Sequence, residues 1–186
     1  MAEHDSGGGR DGEHGAKAYL GLGANLGDRI GALQQAVTAL REQPGILRLR
    51  ASPVYESAAH TLDPEEAQPP FLNAVVEVET TLSPEALLAV AHALERAAGR
   101  TRRRRWAPRT LDVDLLVYGA VTRSGPGIAV PHPRLGARRF VLQPLADLAP
   151  NLRVPPPFDA PAAVLLRRCP DEAPLARTPY SLLDDA

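Results

Sequence analysis

Asp112 and Asp114 are the residues of this 186-residue chain whose type and spacing point most directly to chemistry. On a strand, side chains two apart share a face. Over Thr110–Tyr118 the two carboxylates then project together, while Leu111, Val113, Leu115 and Val117 turn to the core. At a rise of about 3.4 Å per residue their Cα atoms stand roughly 6.8 Å apart. Two acids so placed repel unless a cation lies between them. Mg²⁺ accepts about one or two carboxylates and fills its other positions with water and phosphate oxygens, and carboxylates on one strand can also bridge a pair of ions. The alternative is a solvated strand face that happens to carry two acids.

The segment leading into the acid pair bears on that choice. Between Arg96 and Arg109 stand seven arginines and no acid, a third of the 21 basic residues, in a chain of net charge −1. Guanidinium groups make forked, charge-assisted bonds to phosphate oxygens. A loop of them beside paired acids suits a polyanion bound with a metal. A solvated basic loop or a nucleic-acid patch is the competing explanation, although nucleic-acid binding favours a broader basic surface. Trp106, amid the arginines, either stacks on a ring or anchors the loop.

Two other motifs are weaker. Gly21-Leu22-Gly23-Ala24-Asn25-Leu26-Gly27 looks like a loose dinucleotide fingerprint, but the acid expected about 20 residues on is missing. These glycines read as a tight turn with close backbone packing. The chain has no GxxxxGK[ST], so any use of ATP does not rest on a P-loop. His132, between Pro131 and Pro133, reads first as a rigid turn with a surface imidazole.

The elements that must position these residues are legible from pattern. Lys17–Leu22 is a short strand. A helix follows from about Asp28, with Ile30, Leu33, Val37 and Leu40 at helical spacing and Pro44-Gly45 as its stop. Leu47–Tyr55 and Phe71–Thr80 read as strands separated by a polar loop, 56–69. Ser83-Pro84-Glu85 is a strong helix start, and the helix runs to Ala98 before Gly99. Thr110–Tyr118 is the fourth strand, and short helices are expected within 134–149 and 159–169. The order β-α-β-β-α-β predicts an α+β fold, a ferredoxin-like antiparallel sheet with helices on one face and short C-terminal helical additions. Residues 1–16 read as a disordered tail, 17–169 as a single domain and 170–186 as a C-terminal tail trailing over the surface.

Taken in order, the segments YLGLGANLGD, SPVYES, PPFLNAVVEVET, LERAAGR, RRRWAPRTLDVDLLVYG and VPHPRLGARRFVLQPLADLAP resemble the 6-hydroxymethyl-7,8-dihydropterin pyrophosphokinases. They run from about residue 18 to 150. The resemblance implies transfer of pyrophosphate from ATP to 6-hydroxymethyl-7,8-dihydropterin, giving AMP and the pterin diphosphate in folate biosynthesis. It implies that Asp112 and Asp114 hold two Mg²⁺ ions and that Arg100 and Arg109 act on the phosphates. Arg102, Arg105 and Trp106 match a loop that closes over ATP, and Glu95, Leu115, His132 and Arg138 match nucleotide contacts. Asn73 matches the reader of the pterin edge, Phe71 and Phe140 the aromatic pair around its ring, and Ser57 and Ala58 fall in the pterin loop. Three positions depart from the family pattern: Ala107 stands where glycine is usual, Ala58 where proline is common, and Phe71 where tyrosine is frequent.

The bulk properties fit this expectation. There is one cysteine, Cys169, so no intramolecular disulfide, and there is no secretory signal or apolar run of about 18 residues. The expectation is a cytoplasmic monomer whose partners are ATP and the pterin, with neither membrane nor nucleic acid. The alternatives are a ferredoxin-like nucleic-acid-binding module using the arginine loop, and an inactive regulatory relative of the enzyme. Paired acids at the root of that loop argue against the first, since they repel phosphate without a metal.

Overall fold

The computed structural model describes residues 15–59, 68–99 and 109–183. In chain order the elements are β1 (Ala16–Ala24), α1 (Arg29–Glu42), β2 (Ile46–Ala51), β3 (Tyr55–Ser57), β4 (Phe71–Thr80), α2 (Pro84–Ala97), β5 (Asp112–Tyr118), β6 (Arg123–Gly125), β7 (Ile128–Val130), α3 (Arg139–Leu148), β8 (Arg153–Val154), β9 (Ala160–Pro161), α4 (Ala162–Arg167) and β10 (Leu175–Arg177). A single 3₁₀ turn, Leu135–Ala137, precedes α3. The main sheet is antiparallel, in the order β10-β3-β4-β1-β5, with β2 also paired to β4. The predicted β-α-β-β-α-β core is therefore present.

Both major helices begin where the sequence signals them. The Asp28 side chain accepts from Gly31 N at 3.0 Å to start α1. Ser83 accepts from Ala86 N at 3.2 Å to start α2, with Pro84 at its first position. Leu33, Val37 and Leu40 of α1 and Leu87 and Ala91 of α2 pack on Leu20, Leu22, Leu72, Ala74, Val76 and Val78 of the sheet.

The second face is covered too, which departs from the expectation of helices on one face. Val75, Leu116 and Val117 are buried there with Leu142 and Leu145 of α3 and Leu165 of α4. β4 is accordingly buried along almost its whole length and shows little of the alternation of a half-exposed strand. The alternation expected along β5 also fails part-way. Leu111, Val113 and Leu115 lie in the first core, but Leu116 and Val117 both lie in the second, because a register shift between Tyr19 and Leu20 inserts one residue into β5.

Three further expectations are corrected. The predicted strand 47–55 is two strands, β2 and β3, which pair with opposite ends of β4. Pro53 has no N–H to give the ladder; at the break the Ser52 hydroxyl accepts from Val75 N at 2.9 Å and Ser52 N donates to Val75 O at 2.9 Å. Gly21 and Gly23 lie inside β1, between β4 and β5, and the turn comes later, where Gly27 has φ +63. The C-terminal segment does not simply trail over the surface: β10 pairs with β3, and Leu182 is buried in the first core. The preceding tail falls outside the described residues up to 14, and Ala16 already belongs to β1.

Candidate active site

A cavity of about 340 Å³ is lined by residues of β1, β4 and β5, by the start of α3 and by α2. Its floor is built by absence of side chains. Gly21 lies opposite Asp114 and Val75, and Gly23 opposite Asp112 and Asn73. A Cβ on Gly23 would lie 3.5 Å from Asn73 Oδ1, and one on Gly21 would lie 3.4 Å from Leu116.

One end of the cavity is charged. Asp112 and Asp114 project into it from β5 as their spacing predicts. Arg109 pairs with Asp112. Arg138 Nη1 stands 3.4 Å from Asp114 Oδ2, with His132 Nε2 at 3.9 Å from the same oxygen. The His132 imidazole is fixed from behind: its main-chain N–H donates to Leu116 O at 2.8 Å, and its Nδ1 accepts from Arg134 N at 3.1 Å. Nε2 therefore carries the proton of the neutral ring and faces the acid. Burial lowers the His132 pKa below the ordinary imidazole value; Asp114 opposes this, and Arg138 and Arg134 add to it. The ring is thus neutral at neutral pH. Burial, and then the neighbouring Arg134, also lower the Arg138 pKa.

The other end is flat and polar-tipped. Asn73 is buried at 5% exposure, and its Nδ2 donates to Ser57 Oγ at 2.9 Å. That bond commits the amide's donor end to β3 and turns its carbonyl oxygen toward the Gly23 floor. Phe71, Phe140, Ala58 and Gln68 complete this end. The Arg138 guanidinium lies 5.6 Å from the Phe140 ring centroid, so one side chain spans from the aromatic end to the acids. On the α2 side, Glu95 is buried at 4% exposure and Oε1 accepts from Val113 N at 3.0 Å, satisfying an amide on the edge strand β5.

The fold brings together most of the residues named from the sequence. Ser57, Ala58, Phe71, Asn73, Glu95, Arg109, Asp112, Asp114, Arg138 and Phe140 all line this one cavity, and His132 stands just behind Asp114. Leu115 does not: its side chain is in the first core, on the opposite face. Arg100, Arg102, Arg105 and Trp106 lie outside the described residues.

Several contributors went unrecognised in the sequence. His92 and Leu88 line the cavity from α2, one and two turns before Glu95, and helical spacing from Glu95 was the signal available. Asn25, 1% exposed, is the more consequential. Its Oδ1 accepts from Arg109 N at 2.7 Å, its main-chain N donates to Arg109 O at 3.0 Å, and its Nδ2 donates to Pro69 O at 3.2 Å. It thereby ties Arg109 to the residues that border the aromatic end. It lies within the glycine motif that reads as a turn, and nothing in its spacing singles it out.

The donor set suits a hard divalent cation. It consists of two carboxylates on one strand face, and among the described residues no cluster of three or more His, Cys, Asp or Glu side chains is placed to hold a metal. A site with so few protein ligands leaves coordination positions to water and phosphate oxygens, the pattern of Mg²⁺ bound with a nucleotide. Among the described residues no helix is long and apolar enough to cross a membrane.

An acid pair flanked by arginines at one end, and an amide beside aromatic rings at the other, define a ferredoxin-like protein whose cavity has the chemistry for a polyanion beside a flat heterocycle. Residues 19–150 match the family model of 7,8-dihydro-6-hydroxymethylpterin-pyrophosphokinase (HPPK). A 2-amino-4-hydroxy-6-hydroxymethyldihydropteridine pyrophosphokinase of Pseudomonas aeruginosa is 42% identical over 156 residues, 84% of this chain and 93% of the relative. The Bacillus subtilis protein of the same name is 41% identical over 133 residues, 70% of this chain and 77% of the relative. Among solved structures, an HPPK-DHPS in complex with substrates aligns with a TM-score of 0.63 at 12% identity over 83% of this chain. Plasmodium falciparum HPPK-DHPS with pteroate aligns at 0.65 and 13% over 84%. The chain spans 43% and 45% of those two longer chains, and at such identity the likeness concerns the fold alone. The chain belongs to the HPPK family. Nothing in these comparisons favours a nucleic-acid-binding module.

Proposed function

We propose that this protein transfers the pyrophosphoryl group of ATP to the hydroxymethyl group of 6-hydroxymethyl-7,8-dihydropterin, releasing AMP and forming the pterin diphosphate for folate biosynthesis. The observation that carries this reading is the cavity's two-ended chemistry: Asp112, Asp114, Arg109 and Arg138 at one end, Asn73, Phe71 and Phe140 at the other, on a shared glycine floor.

Asp112 and Asp114 would hold two Mg²⁺ ions, which supply charge neutralisation of the phosphate oxygens and a fixed frame for the in-line approach. Arg109 and Arg138 already stand beside those acids and are placed to exchange a carboxylate for a phosphate oxygen as the nucleotide enters. Arg100, Arg102, Arg105 and Trp106 are assigned to the nucleotide on the family pattern. Glu95 holds β5 by its Val113 amide and so keeps the acid pair in register. His132, whose Nε2 stands 3.9 Å from Asp114 Oδ2, is assigned to the nucleotide on the family pattern. Leu115 contributes from its buried position by supporting the strand. At the far end Asn73 presents its carbonyl oxygen to the edge of the pterin, while Ser57 fixes the amide's orientation and Phe71 and Phe140 offer stacking faces. Binding both substrates on one rigid sheet converts a bimolecular encounter into a positioned one. No side chain is assigned as general base.

On this reading the working unit extends past 169 to take in β10 and Leu182, and acts as a monomer in the cytoplasm. Incubation with ATP, Mg²⁺ and 6-hydroxymethyl-7,8-dihydropterin is expected to release AMP in step with pterin diphosphate. Release of ADP or free phosphate without AMP would overturn it.

A further inference from the structure

Both walls of the aromatic end are braced by a segment beyond the stretch matched to the family. α3 begins between two site residues, Arg138 at its cap position and Phe140 in its first turn. The first amides of a helix lack partners within it, and Arg138 offers no side-chain acceptor to them. Asp171 does so from a distance: its Oδ2 accepts from Arg139 N at 3.0 Å. A carboxylate is also favoured at the positive end of a helix.

Asp171 is itself tightly held. Its Oδ1 accepts from Ala173 N at 3.0 Å, closing a local turn. The chain then pairs Leu175 with Ser57 as β10 meets β3. Thr178 N and Oγ1 each donate to Val54 O at 2.9 Å, and Leu182 is buried in the first core. One short segment thus fastens the strand that carries Ser57, the partner of Asn73, and the helix start that carries Phe140.

We infer that Asp171 is a positioning residue that fixes Phe140 through the Arg139 amide and thereby sets affinity for the flat-ring substrate, an inference that rests on the reading of this cavity end as the pterin site. Aspartate suits the role because it has two acceptor oxygens on a short stem, one for the helix and one for its own turn. Asparagine retains a single acceptor oxygen and serves one of them at a time. Arg138 is also held by Asp114, so the charged end depends less on Asp171.

The test compares Asp171→Ala, Asp171→Asn and Phe140→Ala in the full chain. Calorimetry gives the Kd of 6-hydroxymethyl-7,8-dihydropterin, with Mg²⁺ and a non-hydrolysable ATP analogue present, and the Kd of the analogue alone. Hydrogen exchange follows the Arg139 amide. Asp171→Ala should raise the pterin Kd about fivefold, the effect of losing one helix cap, leave the analogue's Kd nearly unchanged and speed exchange at Arg139; Asp171→Asn should fall between. Faster exchange at Arg139 with an unchanged pterin Kd overturns the inference, as does equal weakening of both ligands with a general loss of thermal stability. If Phe140→Ala weakens pterin binding and Asp171→Ala does not, only the positioning role fails. If Phe140→Ala has no effect, the pterin reading fails, and the inference with it.

Discussion

Gly23→Ala separates function from stability more cleanly than any other change at this site. Gly23 is paired within β1 and is not among the residues with positive φ, so an alanine fits its backbone. The new methyl would lie 3.5 Å from Asn73 Oδ1 and 3.8 Å from Phe71 Cδ1, ordinary contact distances that ask no neighbour to move. A glycine-to-alanine change at a compatible backbone position stabilises by about 0.4–1 kcal/mol, through the unfolded chain. The methyl nevertheless occupies the approach to Asn73 Oδ1, where a ligand N–H must come within about 3 Å of the oxygen. Leaving that buried carbonyl without its ligand partner costs about 1–3 kcal/mol, or roughly five- to 150-fold in pterin Kd. Urea unfolding should therefore show an unchanged or higher midpoint, while calorimetry shows weakened pterin binding and little change for nucleotide. A pterin Kd within about twofold of wild type, well below the cost of one lost hydrogen bond, would mean that the glycine floor is not where the ring edge lies. A lowered midpoint would mean that the floor is packed more tightly than the distances indicate.

Three further outcomes are expected. Asp112→Asn and Asp114→Asn should each keep the fold, since the pairs they break are partly exposed, and should each lower turnover by about 10²-fold or more; near-normal AMP release across a Mg²⁺ titration would refute their role as ligands. Asn25→Ala removes the acceptor of the Arg109 amide and should cost about 1–3 kcal/mol in urea unfolding together with most of the activity; a stability loss with unchanged kcat/KM would make Asn25 a scaffold residue only. Tyr55, buried and donating to Asp147, has its pKa pushed up to about 12, first by burial. Because the folded value lies above the unfolded one, its contribution to stability is whole below about pH 10 and is lost as pH rises toward the folded value. Tyr55→Phe should flatten the alkaline limb of a stability–pH profile, and an unchanged limb would refute the assignment.

The sequence made the charged end of the site legible because its logic is local. Acids two apart on a strand and arginines just before it need only a period of two to be placed, and Asp112 and Asp114 share the cavity as that period requires. The caps Asp28 and Ser83 were legible for the same reason, each bonding to an amide three residues on. What escaped was set by partners far along the chain. Asn25 acts on residues 44 and 84 positions away. Asp171 caps a helix 32 residues before it. The second core was hidden by β4 itself, since a strand buried on both faces loses the alternation that would announce which side is wet.

The extra residue in β5 shows how one such non-local detail shapes the second core beside the site. Had the strand alternated regularly, Leu116 and Val117 would face opposite sides, and the wall beyond Asp114 would differ. The bulge instead turns Val117 to the face that Leu116 already shares with Asp112 and Asp114 by alternation. A Cβ placed on Gly21 would lie 3.4 Å from the Leu116 side chain, so Leu116 bounds the glycine floor on that side. The Leu116 carbonyl accepts from His132 N at 2.8 Å, which hangs the imidazole beside Asp114 although His132 lies 18 residues further along the chain. The inserted residue changes which core Val117 joins and leaves Leu116 on the face that alternation sets. A β-bulge beside a site commonly re-aims a side chain in this way. The identities of Asp114, Leu116 and His132 carry no sign of it, because the insertion is a property of how β5 registers against β1.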